Sequence, residues 1–260
     1  GVHGNSAVAA KAAYLMTDGG TFNGKTVTGL GIDKVGKIWY QVQPNLLTSG
    51  GDYGDLYNDL QQSCRVLTGT NGITAADCTQ VKNALDAVQM NTPACGATEA
   101  PVCPSGLSPH ALFADDLENP SSGNWTKAGS RFYPANSNPY SYDATYAASG
   151  VNNFWGYDNE SKVDDSISMA KSVTLPSGTS YLRFNHSYRF EFSGSSYYDG
   201  GVLEYSINNG TSWSDAGPLI TENGYPHAIA TLYDNPLKGR SAYTGTSNGY
   251  ISTRLNLTSL

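Results

Sequence analysis

Few residue types in this chain could do chemistry, and they stand apart. The four histidines are His3, His110, His186 and His227. None belongs to an H-E-x-x-H string, the helical arrangement that sets two imidazoles on one face with a carboxylate base between them. His3 stands just ahead of a helical pattern. Asn5 or Ser6 can cap that helix, because a short polar side chain accepts from free first-turn N–H groups. Val8, Ala12 and Leu15 then share a stripe flanked by Ala9, Ala13 and Met16, and Gly19-Gly20 end the run. The pattern sets one imidazole at the N-terminus of a helix with an apolar face. A donor held there can stabilise charge that develops in a transition state. By itself, a single histidine near a helix start is more often solvated or packed into a core. His186, mid-strand between Phe184 and Tyr188, reads as packing. His110 and His227 each follow a proline and read as solvated.

The densest acidic group is Asp115, Asp116 and Glu118. Clustered carboxylates suit a hard cation such as calcium, and a solvated acidic turn is an equal reading. On a strand, Asp116 and Glu118 would share one side and Asp115 the other. Asp199, in a Tyr-Asp-Gly-Gly turn, is the candidate distant ligand. The cysteines are Cys64, Cys78, Cys95 and Cys103, and they lack the paired C-x-x-C spacing of a structural zinc site. They fall into two local pairs, Cys64–Cys78 and Cys95–Cys103, which imply an oxidising compartment.

The elements that must position these residues fall into two textures. After the first helix, Thr21 to Leu30 reads as a hairpin around Asn23-Gly24. Asp33 can cap a second helix with the stripe Val35, Ile38, Trp39 and Val42, which Pro44 should kink or stop. Asp52 starts a third helix with the stripe Leu56, Leu60, Cys64 and Leu67. Thr74, with Asp77 three residues on, caps a fourth helix with the stripe Cys78, Val81, Leu85 and Val88. The short Gly69–Gly72 connection packs the last two helices antiparallel, so Cys64 and Cys78 face one another. Prolines and glycines then punctuate residues 93–109, a linker that Cys95 and Cys103 staple. Beyond it helical periodicity disappears, and 14 of the 18 tyrosines lie past residue 107. Leu182, Phe184, His186, Tyr188 and Phe190 alternate with Arg183, Asn185, Ser187, Arg189 and Glu191. Leu203, Tyr205 and Ile207 alternate up to the turn Asn208-Asn209-Gly210, and Ile251, Leu255 and Leu257 do so near the end. Short strands between regular turns argue for an antiparallel sandwich.

The strings Gly1-Val2-His3, Asn5-Ser6 and Lys11-Ala12-Ala13-Tyr14-Leu15 resemble the C-terminal subdomain of thermolysin-like zinc metallopeptidases. So do Gly36-Lys37-Ile38-Trp39-Tyr40, Val81-Lys82-Asn83-Ala84-Leu85-Asp86-Ala87-Val88 and the order of one helix, a hairpin and three helices. The resemblance covers residues 1 to about 90; Ala7 replaces a usual Gly, and Pro44 interrupts a helix usually free of it. It implies that His3 donates a hydrogen bond to the oxyanion of the tetrahedral intermediate. It implies also that the zinc ligands, the general-base glutamate and the acid that orients the histidine lie upstream of Gly1. The strings Phe113-Ala114-Asp115-Asp116-Leu117-Glu118, Tyr198-Asp199-Gly200-Gly201-Val202-Leu203-Glu204-Tyr205-Ser206 and Asn208-Asn209-Gly210-Thr211-Ser212-Trp213 resemble MAM-like jelly-roll modules appended to secreted bacterial peptidases. That likeness implies a calcium ion beside the first strand and a further strand after Leu260.

The expected fold is therefore multidomain, α plus all-β: a helical thermolysin-like C-terminal subdomain over 1–92, a linker over 93–109 and an antiparallel β-sandwich of jelly-roll type over 110–260. A net charge of −7 at pH 7, with both halves acidic, argues against a nucleic-acid partner. No apolar run has membrane-spanning length. A chain that opens without Met reads as a processed or truncated segment. Low charge with abundant Gly, Ser, Thr, Asn and Tyr reads as secreted. Two function classes follow. One is the C-terminal part of a secreted zinc metalloendopeptidase, acting on protein or peptide substrates together with an upstream remainder and inactive alone. The other is a non-catalytic extracellular binding or adhesion module.

Overall fold

Helical periodicity and capping chemistry dictate the first ninety residues. The computed structural model describes residues 2–92, 99–129, 140–156 and 162–260. They fall into two units, Gly1–Pro93 and Ala94–Leu260. The first comprises α1 (Val2–Asp18), β1 (Gly19–Phe22), β2 (Lys25–Thr28), α2 (Ile32–Asn45), α3 (Tyr53–Leu67) and α4 (Ala75–Ala87). Its core gathers Ala12, Leu15 and Met16 of α1, Val35, Ile38 and Val42 of α2, Leu60 and Cys64 of α3, and Val81, Ala84 and Leu85 of α4, with Val27 from the hairpin. Each large aliphatic side chain so buried contributes roughly 1.5–3 kcal/mol.

The termini of these helices show where local chemistry rules and where it yields. Asp52 caps α3 and Thr74 caps α4, each in a reciprocal capping box with the aspartate three residues on, Asp55 and Asp77. The other two expected caps are displaced. α1 is helical from Val2, so Asn5 and Ser6 lie within it and His3 within its first turn. The cap of α2 is Gly31, at φ 81°, and Asp33 sits in the first turn. There the carbonyl of Gly31 already accepts from Val35 N–H, so the turn closes before an aspartate cap is needed. Pro44 falls in the last turn of α2, where the helix is already ending.

The β1–β2 hairpin turns at Asn23 (φ 45°) and Gly24 (φ 73°), the left-handed pair that a two-residue turn demands. The end of α1 passes so close to this hairpin that a Cβ on Gly29 would lie 2.7 Å from the carbonyl oxygen of Thr17. Asn23 donates to the carbonyl of Ala87 at 2.8 Å, which ties the turn to the end of α4. Cys64 and Cys78 are joined, with Cα atoms 5.5 Å apart.

The second unit is β-rich and pairs antiparallel throughout. Its strands are β3 (Trp125–Ala128), β4 (Tyr140–Asp143), β5 (Asn153–Gly156), β6 (Ser166–Met169), β7 (Tyr181–His186), β8 (Phe192–Ser193), β9 (Ser196–Tyr197), β10 (Glu204–Tyr205), β11 (Ser214–Asp215), β12 (Ile220–Glu222), β13 (His227–Ala228), β14 (Ser241–Ala242) and β15 (Ile251–Asn256). Among the described residues they form small separate sheets. One is three-stranded, in the order β12–β15–β7, and the others are two-stranded. The central strand β15 pairs with all of β7, from Ile251 opposite His186 to Asn256 opposite Tyr181. Several expected strands are shorter than the alternation implied. β7 ends at His186, β10 holds only Glu204 and Tyr205, and Leu257 lies past the end of β15.

The stretch read as a linker is partly built into this unit. Ala100 is 2% exposed, and its N–H donates to Ser252 Oγ at 2.5 Å. Arg183 Nε donates to the carbonyl of Ala100 at 2.7 Å while its Nη2 meets Glu99 at 2.7 Å. Arg254 donates to the carbonyl of Pro101 at 3.2 Å. Residues 99–101 thus form a strap across the polar face of the β7–β15 pair.

Candidate functional site

The part of the first unit that could act on a substrate is the opening turn of α1. His3 belongs to that turn by backbone; its side chain lies outside the described residues. What fixes the turn is visible nearby. Val8, Ala12, Leu15 and Met16 anchor one face of α1 in the core. Tyr53, the first residue of α3, packs its ring against the same core and donates from its hydroxyl to the carbonyl oxygen of Asn5 at 2.5 Å. The capping box sets Tyr53 in turn: Asp52 accepts from Gly54 N–H at 2.7 Å and Asp55 N–H at 3.1 Å, and Asp55 accepts from Asp52 N–H at 3.0 Å. Sequence reasoning missed Tyr53. Its partner is a backbone carbonyl 48 positions away, and no local pattern encodes that.

A second polar group in this unit joins α3, α4 and the hairpin. Asp86 accepts from Tyr57 OH at 2.8 Å and Lys82 Nζ at 2.7 Å, with Lys25 3.8 Å away. Burial opposes ionisation of Asp86, but these donors outweigh it and hold the carboxyl below its usual range. Lys34 and Asp77 form a similar pair at 2.8 Å. Both groups serve packing between helices.

Among the described residues, no three His, Cys, Asp or Glu side chains converge into a group that could hold a metal ion. The acids read as calcium ligands make the following protein contacts. Phe113 to Glu118 is irregular backbone with Leu117 at φ 65°, so the two-sided strand geometry does not arise. Asp115 accepts from Leu117 N–H at 2.8 Å, Asn124 Nδ2 at 2.7 Å and Trp125 Nε1 at 3.0 Å. Burial opposes its charge, yet these donors hold the carboxyl below its usual range. Asp116 accepts from Glu118 N–H at 3.1 Å. Glu118 receives Val151 N–H at 2.9 Å and Asn152 N–H at 2.8 Å on one oxygen, which ties the acidic turn to the start of β5. Asp199 accepts from Asn235 Nδ2 at 3.2 Å, and its carbonyl accepts from Thr244 Oγ1 at 2.5 Å. Each carboxylate is committed to protein N–H donors.

The remaining candidates separate cleanly. His186 lies inside an aromatic group, with ring centroids 4.8 Å from Phe184, 5.5 Å from Tyr188 and 4.5 Å from Tyr243. Its Nε2 lies 2.9 Å from Thr253 Oγ1, which also receives Tyr243 OH at 3.2 Å and donates to the carbonyl of Asn223 at 2.9 Å. A hydroxyl has one proton to give, so Nε2 is the donor and the imidazole is the neutral Nε2–H tautomer. Burial pushes its pKa down to about 4. His227 is exposed and stacks on Tyr197 with centroids 4.1 Å apart, and His110 is exposed. Cys103 is a free thiol whose Sγ donates to the carbonyl of Leu107 at 3.2 Å. Cys95, and with it the expected Cys95–Cys103 bridge, lies outside the described residues. No helix of the described residues is long and apolar enough to cross a membrane.

The similarity to known proteins lies in the first unit. Residues 1–90 match the family described as thermolysin metallopeptidase, alpha-helical domain. A zinc metalloproteinase of Renibacterium salmoninarum is 48% identical over 90 residues, which is 34% of this chain and 16% of that protein. A bacillolysin of Bacillus caldolyticus and a thermolysin of Alicyclobacillus acidocaldarius subsp. acidocaldarius are each 40% identical over 88 residues, again 34% of this chain and 16% of the relative. The chain thus spans about one sixth of the length of the curated relatives it matches, 16% in each case. The helical unit is thus similar to the thermolysin-type alpha-helical domain, and a β-rich region follows it.

Proposed function

We propose that this chain is the C-terminal part of a secreted zinc-dependent metalloendopeptidase that hydrolyses peptide bonds in protein substrates. The observation that carries the reading is the match of residues 1–90 to the thermolysin-type helical domain, together with an α1 whose first turn carries His3. On this reading the zinc and its ligands belong to the portion of the catalytic domain that precedes the matched segment in the family. The part left to this chain is electrostatic. An imidazole N–H at His3, aimed at the carbonyl oxygen under attack, gains strength as that oxygen becomes an oxyanion and so favours the transition state over the bound substrate. Residues 110–260 are an accessory module of MAM-like jelly-roll type, a reading supported by antiparallel pairing in every sheet of the second unit.

The test has two arms. The 260-residue chain alone should hydrolyse no casein. In the full-length protein, His3→Ala should lower kcat on the order of 10²–10³-fold with little change in KM, the loss expected for one oxyanion donor. A full-length protein without chelator-sensitive casein hydrolysis would favour an extracellular binding or adhesion module instead. An unchanged kcat in His3→Ala would make that residue structural.

A further inference from the structure

The hydrogen bond from Tyr53 to α1 is made at an unusual place. The carbonyl of Asn5 belongs to the first helical turns, where carbonyls already serve the N–H groups four residues on. It therefore needs no second donor for its own satisfaction. Yet Tyr53 reaches it at 2.5 Å from an element 48 residues later in the chain. Three features make this contact a rigid strut. The ring of Tyr53 is packed against the helical core. Its backbone is the first residue of α3, held by the Asp52–Asp55 capping box. Its side chain has only two soft torsions, so little freedom remains once the ring is packed. On the other side, Asn5 follows His3 by two residues within one helical segment, so any tilt of the opening turn moves both together. Among the described side chains of α1, Val8 is the first packed against the core.

We propose that Tyr53 is a positioning residue for His3. Its phenol fixes the tilt of the first α1 turn so that the imidazole meets the developing oxyanion. The proposal rests on the reading of His3 as oxyanion donor. Tyr53 itself touches no substrate and acts through the α1 backbone. Its contribution should therefore appear in the transition state and vanish when His3 is absent.

The experiment is a double-mutant cycle in the full-length protein with a chromogenic peptide substrate. Tyr53→Phe keeps the packed ring and removes one hydroxyl. It should lower kcat about 3- to 10-fold, the span of one neutral hydrogen bond, with KM unchanged. In a His3→Ala background the same change should cost nothing further. A melting scan of each variant accompanies the kinetics, because a purely structural role lowers the melting temperature and leaves kcat of the folded enzyme intact. If Tyr53→Phe leaves kcat unchanged, or lowers it by the same factor with and without His3, the proposal is overturned while the role of His3 stands. If His3→Ala itself leaves kcat unchanged, both fall. Should Tyr53→Phe fail to fold, Asp52→Ala loosens the start of α3 and keeps the phenol; the same coupling to His3 supports the proposal, and simple additivity overturns it.

Discussion

Reducing the Cys64–Cys78 bridge should cost the helical unit more than any single surface change. The bridge joins α3 to α4 across a sequence separation of 14 and closes the loop that carries Gly69, Gly72 and the Thr74 cap. In the chain-entropy description, opening a loop of about 15 residues releases about 3 kcal/mol of freedom to the unfolded state. Native geometry does not offset this, because both helices are held by further contacts. Cys64 is 0% exposed, and Thr68 donates to its carbonyl at 3.0 Å, so the reduced thiols stay where they are. Stabilisation of about 3 kcal/mol in a unit of 93 residues corresponds to a fall in melting temperature of roughly 12–24 °C, at about 4–8 °C per kcal/mol. The assay is a thermal scan at 222 nm, with and without reductant, of the wild-type chain and of Cys64→Ala/Cys78→Ala. Reductant should shift the helical transition of the wild type and leave the variant unmoved. The variant should melt slightly below the reduced wild type, since it also loses two buried sulfur atoms. A shift under about 4 °C on reduction would refute the loop argument and assign the stability of this hairpin to the capping boxes and the core.

Three further outcomes concern the second unit. Burial holds His186 at about 4, below its usual 6.5, so the unfolded chain binds an extra proton between those values. Stability from this residue is therefore complete above pH 6.5 and declines as the pH falls toward 4. Melting scans across that window should show the decline, and His186→Gln should flatten it; an unaltered slope would show that other groups carry it. Gly217→Ala should lower the stability of this unit by about 1–3 kcal/mol in urea melts, because its Cβ would meet the Tyr225 ring at 2.8 Å and disturb the hydroxyl that receives Leu203 N–H at 2.7 Å. Arg183→Ala should release the strap and open a protease site near Pro101, since the guanidinium holds both Ala100 and Glu99. Unchanged limited proteolysis would show that Ser252 and Arg254 suffice.

The helical unit was largely legible because its determinants are local. Asp52, Thr74 and the stripes ending in Leu60, Cys64, Val81 and Leu85 each speak within one or two turns, and those helices appear where the pattern puts them. The misses there have the same cause from the opposite side. Asn5 and Ser6 have capping chemistry, but residues ahead of them are already helical. Asp33 lost its place to Gly31, whose left-handed backbone suits the exit from the hairpin. The candidate site divides likewise. The position of His3 at the opening of α1 could be read from the chain, whereas the Tyr53 contact that steadies it could not.

The second unit was legible in class but not in plan, and β15 shows why. Alternation along Leu182 to Glu191 separated an apolar face from one carrying Arg183. In the structure the part of that face beside Arg183 is covered, while Asn185, Ser187, Arg189 and Glu191 stay exposed. Ser252 is 0% and Arg254 7% exposed, because residues 99–101 lie across them. A guanidinium can be covered only where its donors find acceptors, and here the carbonyls of Ala100 and Pro101 with the carboxylates of Glu99 and Glu222 supply them. Arg254 also lies over the Tyr181 ring at 5.7 Å. All of those acceptors but Glu222 come from the Pro- and Gly-rich stretch read as a linker, where Ala100 lies 152 positions from Ser252. Alternation can say which side chains share a face, but it is silent on what arrives from elsewhere in the chain to cover that face. For this unit the deciding contacts are of that second kind.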